Sequence, residues 1–212
     1  MEGRCLTVGP VQENCWIVWH EGSERALVID PGEEAPRILA TLEEHGLTAE
    51  AILLTHTHFD HVGAVAEVAR ATGAPVTCPE LEVEVLADIN RFMRIPGFGP
   101  FESYDADETV AGGERLEEAG FGIDVLFVPG HSPGHVAYSF ADEGVLISGD
   151  VLFEGSIGRT DLPGGDHGTL LASIAMLLER LPGETQVLPG HMGTTTLARE
   201  RQTNPFLQEL PA

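Results

Sequence analysis

Short apolar runs bounded by Gly, Pro and Asp recur along the chain, interleaved with stretches whose apolar residues return at helical spacing. Cys15–Trp19 and Ala26–Ile29 are predicted as two strands joined by the turn-rich segment His20–Arg25. Ala35–Gly46 is predicted as a helix, with Ile38, Leu39 and Leu42 on one face and Gly46 as its stop. A short buried strand is expected over Ala51–Leu54 and a small-residue helix over His61–Thr72, ending at Gly73. Leu81–Arg94 reads as a further helix, followed by a loop rich in Pro, Gly and Phe from Ile95 to Tyr104. In the second half Ile123–Val128, Val136–Phe140 and Val145–Ile147 read as strands, with Gly144 at the turn between the last two. Thr169–Leu181 reads as a helix, Gln186–Leu188 as a short strand and Thr195–Arg201 as a final helix before Asn204-Pro205. Strands and helices mix in each half without strict alternation, which predicts an α/β or α+β fold with more than one sheet layer. No stretch is Pro/Ser-rich or charge-blocked enough to be a linker and no repeat is visible, so residues 1–212 are expected to form a single domain.

Charge narrows the partners. Acidic residues number 34 against 11 basic ones, all of them arginine, for a formal net charge of −23. Such a surface repels phosphate backbones and anionic lipid, so neither nucleic acid nor a membrane is an expected partner. The cysteines Cys5, Cys15 and Cys78 are an odd number without zinc-ribbon spacing, and they read as small buried residues of a reducing compartment. The first 20 residues hold Glu2, Arg4, Glu13 and Asn14 with no unbroken apolar segment, and no run is long enough for a bilayer span. The expected location is cytoplasmic; the oligomeric state is left open.

The chemistry concentrates in Leu53-Leu54-Thr55-His56-Thr57-His58-Phe59-Asp60-His61, which leaves a buried strand and enters a helix. In an extended stretch His56 and His58 point to the same side, and Asp60 and His61 follow at the turn. Four potential ligands in six residues can serve one metal or two adjacent ones. Three further segments repeat one pattern of apolar strand, Gly and ligand-type residue: Val128-Pro129-Gly130-His131, Ile147-Ser148-Gly149-Asp150 and Leu188-Pro189-Gly190-His191. Seven candidates thus lie at four strand ends, where α/β sites gather. A carboxylate between two imidazole-bound metals is the expected bridge, because its two oxygens reach both ions.

His56-x-His58-x-Asp60-His61 with His131, Asp150 and His191 resembles the full metal signature of the metallo-β-lactamase-fold hydrolases, and Asp30-Pro31-Gly32 is similar to the same family. The resemblance covers the chain from about Asn14 to Asn204 and implies a four-layer αββα sandwich of two mixed sheets flanked by helices. It also implies that His56, His58 and His131 hold a first metal and Asp60, His61 and His191 a second, with Asp150 bridging. Flavodiiron-type members carry Glu in place of His58, secreted β-lactamases carry signal peptides and a less complete Asp-plus-His pattern, and RNA-processing members add a large inserted domain. Gly158-Arg159-Thr160-Asp161 and the terminal Asn204-Pro205-Phe206-Leu207 look most like the short bacterial form of glyoxalase II-like thioester hydrolases. Longer members grip glutathione with basic residues of a C-terminal helical domain; here 21 residues follow His191 and no lysine is present.

The expected activity is therefore hydrolysis of a small thioester such as S-D-lactoylglutathione. Its nucleophile is a hydroxide bridging two divalent metals, zinc first, with iron or manganese as alternatives. Asp60 and Asp150 are the expected catalytic carboxylates. Arg159 either pairs with a substrate carboxylate or staples its loop through a neighbour such as Asp161. The rival activity is that of a persulfide dioxygenase using one iron on His56, His131 and Asp150. Gly130-His131-Ser132-Pro133-Gly134 matches a nucleophile-elbow pattern, but a strand rather than a helix follows it. His135 is expected to be a structural or supporting histidine, His167 a capping or loop residue, and His20 and His45 surface residues. Phe92, Phe98, Phe101 and Tyr104 are expected either to wall a pocket or to pack their loop onto the core.

Overall fold

The computed structural model describes residues 1–92 and 97–208. Two compact units divide the chain, Met1–Val110 with Glu117–Phe121 and Ala111–Leu116 with Gly122–Ala212.

In the first unit six strands lie side by side in chain order: β1 (Glu2–Val8), β2 (Glu13–Trp19), β3 (Arg25–Ile29), β4 (Thr48–Leu53), β5 (Val76–Pro79) and β6 (Glu108–Val110). The first three are antiparallel and the last four parallel, so the sheet is mixed. Helices α1 (Ala35–Glu44), α2 (Phe59–Val62), α3 (Val65–Thr72), α4 (Val83–Ala87) and α5 (Ile89–Phe92) complete the unit. Ile38 and Leu42 of α1 and Val65 and Val68 of α3 pack with Ile17, Val28, Ile52 and Val76 of the sheet in one apolar cluster.

Two predicted helices are corrected. His61–Thr72 is not continuous: α2 ends at Val62 and α3 starts at Val65. The break has a cause in the preceding loop, because the Ala64 amide donates to the carbonyl of Pro31 at 3.0 Å. A Cβ on Gly63 would stand 2.5 Å from the Gly32 carbonyl. Leu81–Arg94 is a 3-10 turn (Glu80–Glu82) followed by α4 and α5, interrupted where Asp88 leaves helical geometry. Met93 and Arg94 of that prediction, and Ile95 and Pro96 of the following loop, lie outside the described residues. Phe98, Phe101 and Tyr104 of that loop pack against the first unit's core, the packing alternative raised for them.

The remaining strands are β7 (Arg115–Glu118), β8 (Phe121–Phe127), β9 (Val136–Phe140), β10 (Val145–Gly149), β11 (Leu152–Phe153), β12 (Ser156–Ile157), β13 (Gln186–Pro189) and β14 (Thr195–Thr196). Six of them form a second mixed sheet in the order β14-β13-β10-β9-β8-β7, and β11 with β12 forms a hairpin. β10 and β13 run parallel, with Ile147 opposite Leu188 and Gly149 opposite Pro189. Helices α6 (His167–Arg180) and α7 (Leu197–Thr203) cover this sheet. Leu170, Ile174 and Leu177 of α6 and Leu197 of α7 meet Leu126, Ala137, Leu146 and Val187 in the second unit's own cluster. α6 begins two residues earlier than its apolar pattern, because Asp166 caps it by accepting from the Thr169 amide at 2.8 Å. Two mixed sheets with flanking helices match the fold class expected from the resemblance.

Leu146 is fully buried on the central strand β10. Replacing it with Ala should destabilise the protein by about 2–5 kcal/mol in urea unfolding; a loss under about 1 kcal/mol would contradict this account of the second core.

Candidate metal centre

In the first unit the ligand-type residues leave the carboxyl end of β4. Asp30, just past β3, is buried, and its carboxylate accepts from the Thr55 amide and the Thr55 hydroxyl, each at 2.7 Å. The same carboxylate lies 3.1 Å from His61 Nδ1. A carboxylate can only accept, so Nδ1 carries the proton and Nε2 keeps its lone pair for a metal. His56 Nδ1 is 3.1 Å from the Thr55 hydroxyl, and its Nε2 is 3.1 Å from His58 Nδ1. Alternation along the extended segment thus brings His56 and His58 together. Asp60 lies in the first turn of α2 and its Oδ2 is 3.9 Å from His61 Nε2.

Two further buried acids stand behind this half of the site. Glu13 Oε1 is 3.8 Å from His61 Nδ1, and Thr57 donates to Glu82 at 2.7 Å. Gly32 is required by close approach: a Cβ there would fall 1.6 Å from the Asp60 carbonyl oxygen.

In the second unit the parallel pairing of β10 with β13 sets the geometry. The Gly190 amide donates to the Gly149 carbonyl at 2.9 Å, so the next residues on each strand, Asp150 and His191, emerge side by side. Asp150 Oδ2 lies 3.5 Å from His191 Nε2 and 3.4 Å from His131 Nε2. His131 Nδ1 donates to the backbone carbonyl of Arg159 at 2.8 Å, which puts the ring's lone pair on Nε2. The Asp150 amide donates to His135 Nε2 at 3.0 Å, so that ring acts as an acceptor and is a neutral prop for the Asp150 backbone. Gly158 is the second close approach, since a Cβ there would stand 1.9 Å from the Asp150 carbonyl.

The Arg159 guanidinium is committed elsewhere: it donates to both oxygens of Asp161, at 2.7 and 2.8 Å. That pair is the loop-stapling alternative raised for it, and it holds the Asp161 carboxyl down at about 2. Ser132 sits in a turn between two strands, not before a helix. His20 stacks on Phe121 at 3.9 Å and His45 leans on Trp19 at 5.2 Å, so both are half-buried packing residues rather than free surface.

The roles of Glu13, Thr55, Glu82 and the Arg159 carbonyl were not legible beforehand, and Asp30 stood out only as part of the Asp30-Pro31-Gly32 resemblance. The one local signal for Glu13 was a charged residue heading the otherwise apolar run Cys15–Trp19. The donors suit a metal: His61 in the first unit and His131 in the second have their Nδ1 protons held by protein acceptors and stand beside carboxylates, a nitrogen–oxygen set fit for zinc, iron or manganese.

The family model described as metallo-beta-lactamase superfamily matches residues 8–191. The chain is 42% identical to the probable metallo-hydrolase YqgX of Bacillus subtilis, over 98% of both chains. It is 36% identical to the hydroxyacylglutathione hydrolase GloC of Haemophilus influenzae, over 95% of this chain and 96% of that one. Among solved structures it is similar to the BLEG-1 B3 metallo-beta-lactamase (TM-score 0.92, 41% identity, 98% and 100% covered). TTHA1623 in a di-iron-bound form is also similar (TM-score 0.80, 43% identity, 96% and 100% covered). So is ETHE1 from Myxococcus xanthus (TM-score 0.78, 27% identity, 97% and 84% covered). A family match over most of the chain, joined to relatives of this identity and coverage, means that the chain belongs to the metallo-beta-lactamase superfamily, a fold that binds metal ions.

Proposed function

We propose that this chain is a metal-dependent hydrolase of small thioesters of the S-D-lactoylglutathione type. The observation that carries the hydrolase reading is the Asp150 carboxylate, one oxygen of which faces the Nε2 atoms of both His131 and His191. The thioester class rests on the likeness to GloC. In this reading His56, His58 and His131 would hold one divalent metal and Asp60, His61 and His191 a second, with Asp150 shared. Zinc is the first candidate; the likeness to a di-iron structure keeps iron beside it, and manganese suits the same donors. Bound metals would supply a lowered water pKa and charge stabilisation at the thioester carbonyl oxygen.

The chain's own groups do the rest. Asp30 and the Arg159 carbonyl keep the protons of His61 and His131 on Nδ1. His135 fixes the backbone of Asp150. Asp60 can accept a proton from an attacking water and orient it toward the carbonyl carbon. A thiolate leaves without a strong general acid, and no such acid is needed from the chain. Arg159 reaches a substrate carboxylate only if it releases Asp161. The likeness to ETHE1 favours a second reading, persulfide oxygenation at a single iron on His56, His131 and Asp150.

Steady-state assays with zinc, iron or manganese supplied in turn should give clear turnover of S-D-lactoylglutathione. Oxygen uptake with a persulfide instead would select the second reading, and cleavage of a β-lactam alone would align the chain with BLEG-1. Asp150→Ala should abolish both metal retention, read by elemental analysis, and turnover; an active variant would sink the two-metal scheme. Carbon-detected NMR should find Asp161 titrating at about 2, against an ordinary value of 3.8, and returning toward that value in Arg159→Ala. Because its folded-state pKa is depressed, the pair's contribution is present above the ordinary value and is lost as pH falls through about 2. Both groups are exposed, so the effect on overall stability should be small.

A further inference from the structure

The terminal Asn204-Pro205-Phe206-Leu207 has no part in the chemistry above, yet Asn204 is fully buried. Its side chain is saturated. Nδ2 donates to the Ser156 carbonyl at 2.9 Å and to Glu200 Oε2 at 2.8 Å, while Oδ1 accepts from the Phe206 amide at 3.0 Å. Glu200, one turn earlier on α7, is also fully buried. Its Oε2 accepts from the Gly155 amide at 2.8 Å and its Oε1 from the Thr195 hydroxyl at 2.6 Å. Arg199 reaches Glu154 at 2.9 Å. Three successive residues of the β11–β12 hairpin, Glu154, Gly155 and Ser156, are therefore each held by α7 or its C-cap.

That hairpin leads back to His191. Phe153 meets the His191 ring edge-on, with centroids 5.8 Å apart. Beyond His191, the bare Cα of Gly193 admits the Glu154 carboxylate, which would lie 2.6 Å from a Cβ there. Thr195, on the strand that follows, is the residue that donates to Glu200. Glu200 thus grips the two segments that flank His191, one packed on its ring and one continuing its backbone.

We propose that Glu200, locked by Asn204, is a positioning residue for His191, so that the C-terminal helix and its Asn-Pro cap tune one metal through a ligand they do not touch. All three partners of Glu200 are donors, and a carboxylate presents only acceptors to them. In Glu200→Gln one N–H group would instead face a donor, in a chain otherwise of the same shape. The proposal rests on His191 being a metal ligand, as in the function proposed above.

The test is zinc titration against a chromophoric chelator, with thermal unfolding of each metal-free variant recorded alongside. Native protein should bind two zinc ions and His191→Ala should weaken one of them. Glu200→Gln should weaken the same ion by about 10- to 100-fold, the range found for residues that orient metal ligands. In the His191→Ala background Glu200→Gln should change zinc affinity no further, because the ligand it acts through is gone. Arg199→Ala removes only an exposed tie to the same hairpin and keeps the test open if Glu200→Gln does not fold. It should weaken the same ion by about threefold, again only when His191 is present. Unchanged affinity in both variants, or equal losses with and without His191, overturns the positioning role. A native chain whose zinc binding is indifferent to His191→Ala overturns the two-metal reading itself.

Discussion

An imidazole offers a metal its lone pair only if the other ring nitrogen carries the proton, and a buried proton needs an acceptor. Much of the architecture around the site answers that requirement. His61 gives its Nδ1 proton to Asp30, which Thr55 orients by two bonds, and His131 gives its proton to the Arg159 carbonyl. His135 is set the opposite way, its Nε2 accepting from Asp150. The three similar rings thus take different roles from what lies behind them. The backbone must also approach closely enough to supply those acceptors. Gly32 against the Asp60 carbonyl and Gly158 against the Asp150 carbonyl are two positions where a side chain would prevent it.

The parts of the fold legible in the sequence are those whose burial is one-sided or complete over several residues. β2, β9 and β10 are buried along their whole length and stand out as apolar runs. β1 was not legible because its first four residues are exposed and only Leu6 and Val8 turn inward. β6 and the pair β11–β12 are too short to show a period. The division of His61–Thr72 into two helices was hidden for a different reason: the Pro31 carbonyl that takes the Ala64 amide comes from a loop 33 residues earlier. Local propensity carries no record of a partner that distant.

The same distinction runs through the site. Ligand-type residues were legible because strand, Gly and His or Asp recur as a local pattern, and that pattern has a direct structural meaning at β10 and β13. Parallel pairing, with a register shift between Ile147 and Gly149 and the Gly190 amide on the Gly149 carbonyl, sets Asp150 beside His191. The residues behind these side chains were not legible, since Glu13 reaches His61 from β2, Asp30 from just past β3, and the Arg159 carbonyl reaches His131 from a loop. Nothing in a carbonyl's own side chain announces its use.

Charge gives the last link. Glu13 and Asp30 are both buried and both lie within 4 Å of His61 Nδ1, at 3.8 and 3.1 Å. Two carboxylates beside one ring nitrogen, in a chain of net charge −23, repel each other, and their removal from water is costly. The His61 proton and the two Thr55 bonds to Asp30 compensate only part of that. A divalent cation on the far side of the ring would draw electron density from the imidazole and make its N–H a stronger donor to Asp30, with Glu13 at 3.8 Å adding only a charge contact. The acids in turn would raise the basicity of the metal-bound nitrogen. Burial that is unfavourable as isolated acid chemistry would become favourable behind a metal-bound histidine, and Glu13 and Asp30 both stand behind His61.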